Sequence, residues 1–135
     1  MDDSLNERAR AALIASRAAA RELMEARDSL AELEGQTIGS PRLDGMPRGS
    51  GGHDASASRL IHLDYARRKL DMAERAYKRA RHAAEAACEG MEPHMHKFCA
   101  AYYAEGFPFE VARTLSGVGD RQCYRYVRMI EGKEE

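Results

Sequence analysis

Apolar and small residues recur at alternating steps of three and four positions along two long stretches of the chain. Such spacing places them on one face of a helix, and its heptad form is typical of helices that pair along a seam. The first seam comprises Leu5, Ala9, Ala12, Ser16, Ala19, Leu23, Ala26, Leu30 and Leu33. The second comprises Leu63, Ala66, Leu70, Ala73, Tyr77, Ala80, Ala84 and Ala87. Two alanine-rich seams predict closely paired helices, within one chain or between two.

The first predicted helix runs from residue 4 to residue 34 in the N-terminal segment 1–34, which contains neither glycine nor proline. Ser4 and Glu7 have the spacing of a capping box at its start, and Gly35 has the usual identity of a residue that ends a helix. Residues 35–56 are rich in glycine and proline and predict a loop. A loop of this length is either functional or mobile.

The second predicted helix occupies residues 57–89, with Asp54 or Ser56 as its cap and Gly90 as its end. Residues 91–135 form the compact remainder. There, a helix is predicted to start at Glu92 and Pro93 and to end at Gly106. Its inward residues are Met95, Phe98, Cys99 and Tyr102.

Another helix is predicted from Pro108 to about Ser116, followed by the turn "SGVG" and a last helix to about Glu131, capped by Gly119 or Asp120. The inward residues of the first of these helices are predicted to be Phe109, Val111, Ala112 and Leu115. Ala112 is small where two helices cross, and Val118 anchors the turn to the core. A helix, a glycine turn and a capped basic helix in this order indicate a helix-turn-helix. The predicted fold is therefore all-α, a long antiparallel hairpin followed by a C-terminal helix-turn-helix domain.

The last predicted helix has two faces of different chemistry. Cys123, Tyr124, Val127 and Ile130 fall on the face predicted to be buried. Arg121, Arg125 and Arg128 fall on another face, with Gln122 beside them. Arginine can bond guanine, and glutamine adenine, through two hydrogen bonds each, and residues near the start of a recognition helix reach the bases. We therefore predict Arg121, Gln122 and Arg125 as base readers and Arg128 and Arg113 as phosphate contacts, unless this is only a solvated basic face.

Charge is distributed unevenly, although the net charge is only −1. Residues 1–34 hold five arginines and eight acidic residues, whereas residues 59–82 hold eight basic and three acidic residues. The basic helix either neutralises the acidic one or adds phosphate contacts through Arg67, Arg68, Arg75 and Arg79. The mean hydropathy of −0.61 argues against a membrane span, and the charged start of the sequence argues against a secretion signal. We therefore expect a cytoplasmic protein.

Cysteine and histidine suggest a metal site only weakly. His94, His96, Cys99 and Cys88 lie close in sequence, but two histidines two positions apart point to different sides of a helix. Three scattered cysteines fit free thiols in a reducing compartment. No phosphate loop or hydrolase motif is present, so we expect neither metal, cofactor nor enzymatic activity.

The segment "YYAEGFPFEVARTLSGVGDRQCYRYVRMI" resembles sigma-factor region-four-like domains, in which an aromatic-x-Glu-[Ile/Val]-Ala-x-x-Leu helix precedes a turn and a Val-Tyr-Arg helix. The whole chain is similar to phage-encoded late transcription regulators of the RinA and ArpU type. These pair such a domain with a helical hairpin whose loop has the form Ser-Pro-x-x-x-Gly-Met-Pro-Arg-Gly, matched here by "SPRLDGMPRG". The chain departs from the family in a turn that is one residue longer and in Cys123, where valine or isoleucine is usual.

The resemblance implies a bacteriophage or prophage regulator that binds double-stranded DNA in a bacterial cytoplasm and controls late or packaging genes. It implies Arg121, Gln122 and Arg125 as its base contacts. A dimer, or a partner such as RNA polymerase, is expected because one small module binds DNA weakly. Two alternatives are a small terminase-type packaging subunit, which forms a ring, and an adaptor that binds only protein.

Overall fold

The computed structural model describes residues 6–39 and 49–132, with side chains described for residues 6–35 and 56–132. All regular structure in these ranges is helical, which confirms the predicted all-α class. The helices are α1 (Glu7–Gly39), α2 (Gly49–Cys88), α3 (Pro93–Cys99), α4 (Phe109–Ser116) and α5 (Asp120–Glu131), and a π-helical turn, Ala100–Ala104, continues α3. None of the described helices has an apolar stretch long enough to cross a membrane.

The ends of the two long helices differ from the prediction. Helix α1 passes through Gly35 and ends at Gly39. A glycine inside a helix costs only about 1 kcal/mol relative to alanine, which a helix of 33 residues can absorb. Helix α2 begins at Gly49 rather than at residue 57, so the predicted caps Asp54 and Ser56 lie inside it. Residues 40–48, which carry nearly all of the loop motif, lie outside the described residues.

The start of α1 is capped one residue before the helix begins. Oδ1 of Asn6 accepts a 2.7 Å hydrogen bond from the backbone amide of Ala9, one of the first-turn donors that lack a partner within the helix. The predicted capping box includes Ser4, which lies outside the described residues. Asn6 therefore supplies a cap that the pattern of the sequence did not single out.

The chain divides into two compact units, Met1–Arg21 with Arg75–Glu135 (unit 1) and Glu22–Glu74 (unit 2). The described part of unit 2 consists of segments of the two long helices. Among the side chains described there, the buried or half-buried apolar ones all belong to the predicted seams: Leu23, Ala26, Leu30, Leu33, Leu63, Ala66, Leu70 and Ala73. Glu34 on α1 and Arg67 on α2 form an ion pair of 3.7 Å between exposed side chains, which contributes little stability.

Unit 1 holds the main core, around the fully buried Phe98. The ring of Phe98 stacks on Tyr102 at 5.2 Å between centroids and meets Phe109 and Tyr126 at 5.8 Å each. The long helices contribute Leu13, Ala84 and Cys88 to the same core. Aromatic pairs in these geometries add to the stabilisation from burial. The predicted inward residues Met95, Phe98 and Cys99 are thus confirmed as core residues, and Tyr102 packs against them half-buried.

Helix α3 starts and ends as predicted, but its last turn is wider than an α-helix. Glu92 is the N-cap and Pro93 the first helical residue. The amide of Glu105 donates to the carbonyl of Ala100, five residues earlier, at 2.9 Å, which is the bonding pattern of a π-turn. Gly106 then breaks the helix with a φ of +78°. A Cβ atom at this glycine would lie 2.6 Å from the Cβ of Ala20, so the close approach of α1 also requires glycine.

Side chains of the long helices bind carbonyls at this widened end. Ser16 Oγ and the Tyr77 hydroxyl both donate to the carbonyl of Ala104, at 3.2 and 2.8 Å. Arg17 Nη1 donates to the carbonyls of Tyr102 and Phe107 at 2.7 and 2.9 Å. The last carbonyls of a helix lack partners within it, so these bonds satisfy them. The long helices thereby fix the end of α3, a role that their heptad pattern did not reveal.

Candidate nucleic-acid interface

Helices α4 and α5 are joined by the turn Gly117–Gly119, whose geometry depends on glycine. Gly117 has a left-handed φ of +81° and its amide donates to the carbonyl of Arg113 at 3.2 Å, which ends α4. Val118 packs half-buried against the core, as predicted. Nδ1 of His94 lies 2.9 Å from the carbonyl of Ser116, so the ring donates to the end of α4. The turn is therefore held from α3 as well as from the core.

The buried face of α4 differs from the prediction. Ala112 and Ser116 are fully buried and Phe109 is half-buried, whereas Val111 and Leu115 are 42% and 52% exposed. Positions 109, 112 and 116 share one side of the helix, and 111 and 115 lie about 60–160° away from them on a wheel of 3.6 residues per turn. The small side chains face inward because α4 approaches α3 closely. The prediction of Val111 and Leu115 as inward residues is wrong.

The buried face of α5 includes Tyr126 and not the predicted Tyr124. Cys123, Tyr126 and Ile130 are buried, with Val127 at the edge, whereas Tyr124 is 52% exposed. The ring of Tyr124 stacks on Phe109 with centroids 4.6 Å apart, so it covers the core from outside. The ring of Tyr126 lies in the core, and its hydroxyl reaches the carboxylate of the exposed Glu92. The predicted burial of Tyr124 is wrong, and that of Cys123 and Ile130 is confirmed.

Three polar contacts tether α5 along its length. At its start, Asp120 Oδ1 pairs with Arg113 Nε at 2.9 Å. In its middle, the Tyr126 hydroxyl donates to Glu92 Oε2 at 2.7 Å. At its end, the hydroxyl of the fully buried Tyr103 donates to Glu131 Oε2 at 2.8 Å. Together with the buried stripe, these contacts fix both the position and the rotation of α5.

Two of these contacts shift the pKa of a group that takes part in them. The Tyr126 hydroxyl, helped by the amides of Met95 and His94, holds the pKa of Glu92 below its ordinary value of 4.5. Burial and the hydrogen bond to Glu131 raise the pKa of the Tyr103 hydroxyl far above its usual range. The pKa of the Tyr126 hydroxyl is also raised, by burial, so both hydroxyls remain protonated donors.

The face of α5 opposite the buried stripe carries the predicted arginines. Arg121, Arg125 and Arg128 are all exposed. With Cys123 as the reference direction, they lie about 140–200° around the helix. None of the three tethers of α5 involves these side chains. Three guanidinium groups along two turns of a fixed helix make a surface suited to phosphate and to the edges of bases.

Gln122 and Arg113 lie differently from the exposed arginines. Gln122 is half-buried, and its Oε1 accepts a 3.4 Å hydrogen bond from Arg125 Nη1. Arg113 is half-buried and its Nε is engaged by Asp120. The structure thus brings Arg121, Arg125 and Arg128 together on one face, places Gln122 at its margin, and places Arg113 on the contact between α4 and α5.

A groove of about 710 Å³ opens beside α5 in unit 1. Its walls include the apolar side chains of Met91, Met95, Val118 and Met129 and the polar groups of Gln122 and Arg125. Methionine side chains adapt their shape readily to whatever they contact. Because Gln122 and Arg125 belong both to this groove and to the candidate interface, a group bound here would touch the same surface.

The residues that suggested a metal have other contacts. Nδ1 of His94 and Nδ1 of His96 each bond a backbone carbonyl, those of Ser116 and Cys88. Cys88 and Cys99 are buried thiols, and burial raises the pKa of Cys88 to about 11. Among the described residues, no group of three or more histidines, cysteines and carboxylates is placed to hold a metal ion.

The basic residues proposed as extra phosphate contacts on α2 have mixed surroundings. Within unit 2, Arg68 pairs with Asp64 at 3.1 Å and Arg67 with Glu34. Arg79 is exposed in unit 1. The pair of Arg67 with Glu34 joins the two long helices and agrees with the interpretation that the basic helix neutralises the acidic one, whereas the pair of Arg68 with Asp64 lies within α2.

No protein family, no curated protein and no solved structure matches this chain.

Proposed function

We propose that this protein is a DNA-binding transcriptional regulator without enzymatic activity, and that α4, its turn and α5 act as a helix-turn-helix whose reading element is α5. The observation that carries the proposal is the exposed face of Arg121, Arg125 and Arg128 on a helix tethered at three points. A fixed helix is what base recognition needs, because a small rotation would move every guanidinium group away from its base.

Within this proposal the arginines have different roles. Arg121 and Arg125 lie in the first half of α5 and read base edges in the major groove. Arg128 lies one turn further along and binds a phosphate. Gln122 is a third base-reading residue when the Arg125 side chain gives up its hydrogen bond to Gln122 and bonds a guanine instead. Arg113 acts by holding Asp120 and thus the start of α5, in place of the direct phosphate contact predicted from sequence.

The biological setting comes from the resemblance in sequence. The match of "SPRLDGMPRG" to the loop of RinA- and ArpU-type regulators supports a phage or prophage protein acting on late or packaging genes in a bacterial cytoplasm. The two long helices form the hairpin of such a regulator in this account. A dimer or RNA polymerase supplies the affinity that a single module lacks.

Selection of duplexes from a random pool with the full chain tests this function. The proposal expects one enriched motif of a few base pairs, repeated if the protein binds as a dimer. A selection with Arg121→Ala should relax the motif at one base pair, because one bidentate arginine supplies about 1–3 kcal/mol of discrimination. Failure to enrich any motif above the starting pool would contradict sequence-specific binding.

An adaptor that binds only protein is the second candidate, and the exposed Val111 and Leu115 favour it. These side chains are 42% and 52% exposed and lie one turn apart on α4. Exposed apolar pairs of this kind are typical of protein contact surfaces. If the adaptor is correct, Val111→Ser/Leu115→Ser should abolish capture of a host protein, and the exposed arginines of α5 should be dispensable for every interaction.

A further inference from the structure

Arg17 of α1 makes three contacts with the segment that follows α3, and all of them lie within unit 1. Nη1 of Arg17 donates to the carbonyls of Tyr102 and Phe107, at 2.7 and 2.9 Å. Cζ of Arg17 lies 3.8 Å from the centre of the Tyr102 ring, and a cation over an aromatic face is attracted more strongly where both are partly withdrawn from water. One half-buried side chain therefore joins α1 to the backbone on both sides of Gly106.

The carbonyl of Tyr102 bears directly on where the next side chain points. The carbonyl of Ala101 accepts from the amide of Phe107 at 3.0 Å, whereas the carbonyl that follows it, that of Tyr102, accepts from Arg17. The carbonyl of Tyr102 and the amide of Tyr103 belong to one planar peptide group. A side chain that fixes this carbonyl therefore also helps to fix the backbone from which the Tyr103 side chain extends.

The two tyrosine rings continue the contacts to α5. The rings of Tyr102 and Tyr103 meet edge to face, with centroids 4.9 Å apart and 90° between their planes. Tyr103 is fully buried, and its hydroxyl donates to Oε2 of Glu131, the last residue of α5, at 2.8 Å. A close-packed interior leaves such a ring little room to move independently of its neighbours. A displacement of Tyr102 is therefore transmitted to the end of α5.

The ends of the series Arg17–Tyr102–Tyr103–Glu131 also lie near each other in space. Arg17, Tyr103 and Glu131 all line one pocket of about 360 Å³ on the surface of unit 1. The series thus closes a short loop of contacts between α1 and the end of α5, and it includes both hydrogen bonds and ring contacts. Removing one member is expected to loosen the members on either side of it, because residues in one contact network are coupled.

We propose that Arg17 is a positioning residue for α5, which holds the end of this helix through the two tyrosine rings. Arg128 lies three positions before Glu131, and Arg121 lies ten positions before it. Releasing the end of α5 therefore displaces Arg128 most. The inference rests on the proposed function for the role of Arg128 as a phosphate contact. The position of α5 itself is measured without DNA, so either part can fail alone.

Hydrogen exchange of two backbone amides of α5, measured on the full chain without DNA, tests the positioning. Ile130 and Cys123 are both fully buried, the first in the last turn of α5 and the second in its first turn. We expect Arg17→Met to speed exchange at Ile130 relative to Cys123 by about tenfold, through the lost hydrogen bonds. Arg17→Lys should show a smaller rise, because an ammonium group keeps the charge but not the planar guanidinium group. It also serves as the test variant if Arg17→Met does not fold.

Ser16→Ala is the matched control for this measurement. Ser16 also binds the turn from α1, but its hydroxyl donates to the carbonyl of Ala104 rather than to that of Tyr102. Its loss should lower the overall stability and leave the ratio of exchange rates unchanged. Tyr103→Phe interrupts the series at its other end, so it should raise the ratio as Arg17→Met does, and the double variant should raise it no further. An equal rise in Ser16→Ala, or effects that multiply in the double variant, overturns the proposal.

The salt dependence of DNA binding tests the consequence for the interface. Tyr103→Phe should reduce the slope of log affinity against log salt by about one, as Arg128→Ala does, although it removes no charge. This separates positioning from a direct phosphate contact by Arg17. An unchanged slope in Tyr103→Phe, with the exchange ratio raised, overturns the proposed effect on DNA binding. If the wild type binds no DNA while the exchange ratio still rises, the proposed function is wrong and the positioning of α5 by Arg17 is supported.

Discussion

The hydroxyl group of Tyr126 donates a 2.7 Å hydrogen bond to Oε2 of Glu92, the same carboxylate that caps the start of α3. One side chain thus organises the first turn of α3 and fixes the rotation of α5. Because the exposed arginines lie on the opposite side of α5, this contact decides in which direction they point. The proposed reading of bases by α5 therefore depends on this hydrogen bond.

Tyr126→Phe should lower the stability of the fold and weaken DNA binding, because it removes the tether while keeping the buried ring. Tyr124→Phe is the matched control, since the Tyr124 side chain is half exposed on the same helix. Urea unfolding followed by circular dichroism measures the first effect. Equal urea midpoints for Tyr126→Phe and Tyr124→Phe would show that the hydrogen bond from Tyr126 to Glu92 contributes nothing to the stability of the fold.

The same contact predicts a dependence on pH. The pKa of Glu92 is lowered in the folded protein, so its contribution to stability is fully present above its ordinary value of 4.5 and is lost as pH falls through the lower folded pKa. Glu92→Gln should therefore be less stable than the wild type at neutral pH, with the difference shrinking on acidification. Unfolding midpoints measured between about pH 3 and 7 test this. A difference that is constant over the range would contradict the assignment.

Gly106→Ala should destabilise unit 1 by at least ~2 kcal/mol. Its φ of +78° disfavours a side chain, and the new Cβ would lie 2.6 Å from the Cβ of Ala20. Gly90→Ala is the control for backbone strain alone, because Gly90 has a φ of +91° but no atom within 4 Å of an added Cβ. It should cost about 1 kcal/mol. In a double variant, Ala20→Gly should recover part of the stability that Gly106→Ala loses beyond the cost of backbone strain. If the costs of the two changes simply add, the steric explanation is wrong.

Arg113 offers a test of how the interface is built. If it holds Asp120, as the 2.9 Å contact indicates, Arg113→Ala should weaken DNA binding with little change in the dependence of affinity on salt. Arg128→Ala, the matched control for a phosphate contact, should reduce the slope of log affinity against log salt by about one. If Arg113→Ala reduces the slope as much as Arg128→Ala does, Arg113 contacts phosphate directly, as its sequence position first suggested.

Residues with strong local signals were predictable from the sequence. The seam of α2 was predicted completely, since Leu63, Ala66 and Ala84 are buried and its other members half-buried. The ends of helices at Gly90, Gly106 and Gly117 were predictable because glycine readily adopts the positive φ that each of these residues has. Helical spacing and the backbone preference of glycine depend on residues that are close together in the chain. A single sequence therefore shows both.

Positions that depend on distant partners were not predictable. Tyr126 lies at steps of three and four from the buried Cys123 and Ile130, so helical spacing could have selected it over Tyr124, but its partner Glu92 lies 34 positions away and could not be identified from the sequence. Val111 is more apolar than Ser116, yet Ser116 is buried because its hydroxyl and carbonyl are both bonded, the latter to His94. Two of the three tethers of α5, those of Tyr126 and Tyr103, likewise join residues far apart in the chain, and the spacing of residues along the sequence does not indicate them.

The most direct test of the account is the anisotropy of a labelled DNA duplex titrated with protein across a salt series. Three proteins are compared: wild type, Arg121→Ala/Arg125→Ala, and Arg8→Ala/Arg27→Ala, a control that loses the same charge from exposed positions on α1. We predict that wild type binds with an affinity that falls steeply with salt, that the control binds nearly as well, and that the α5 variant loses binding. Equal binding by the two variants, or no binding by wild type at low salt, would contradict the assignment of α5 as a DNA-reading helix.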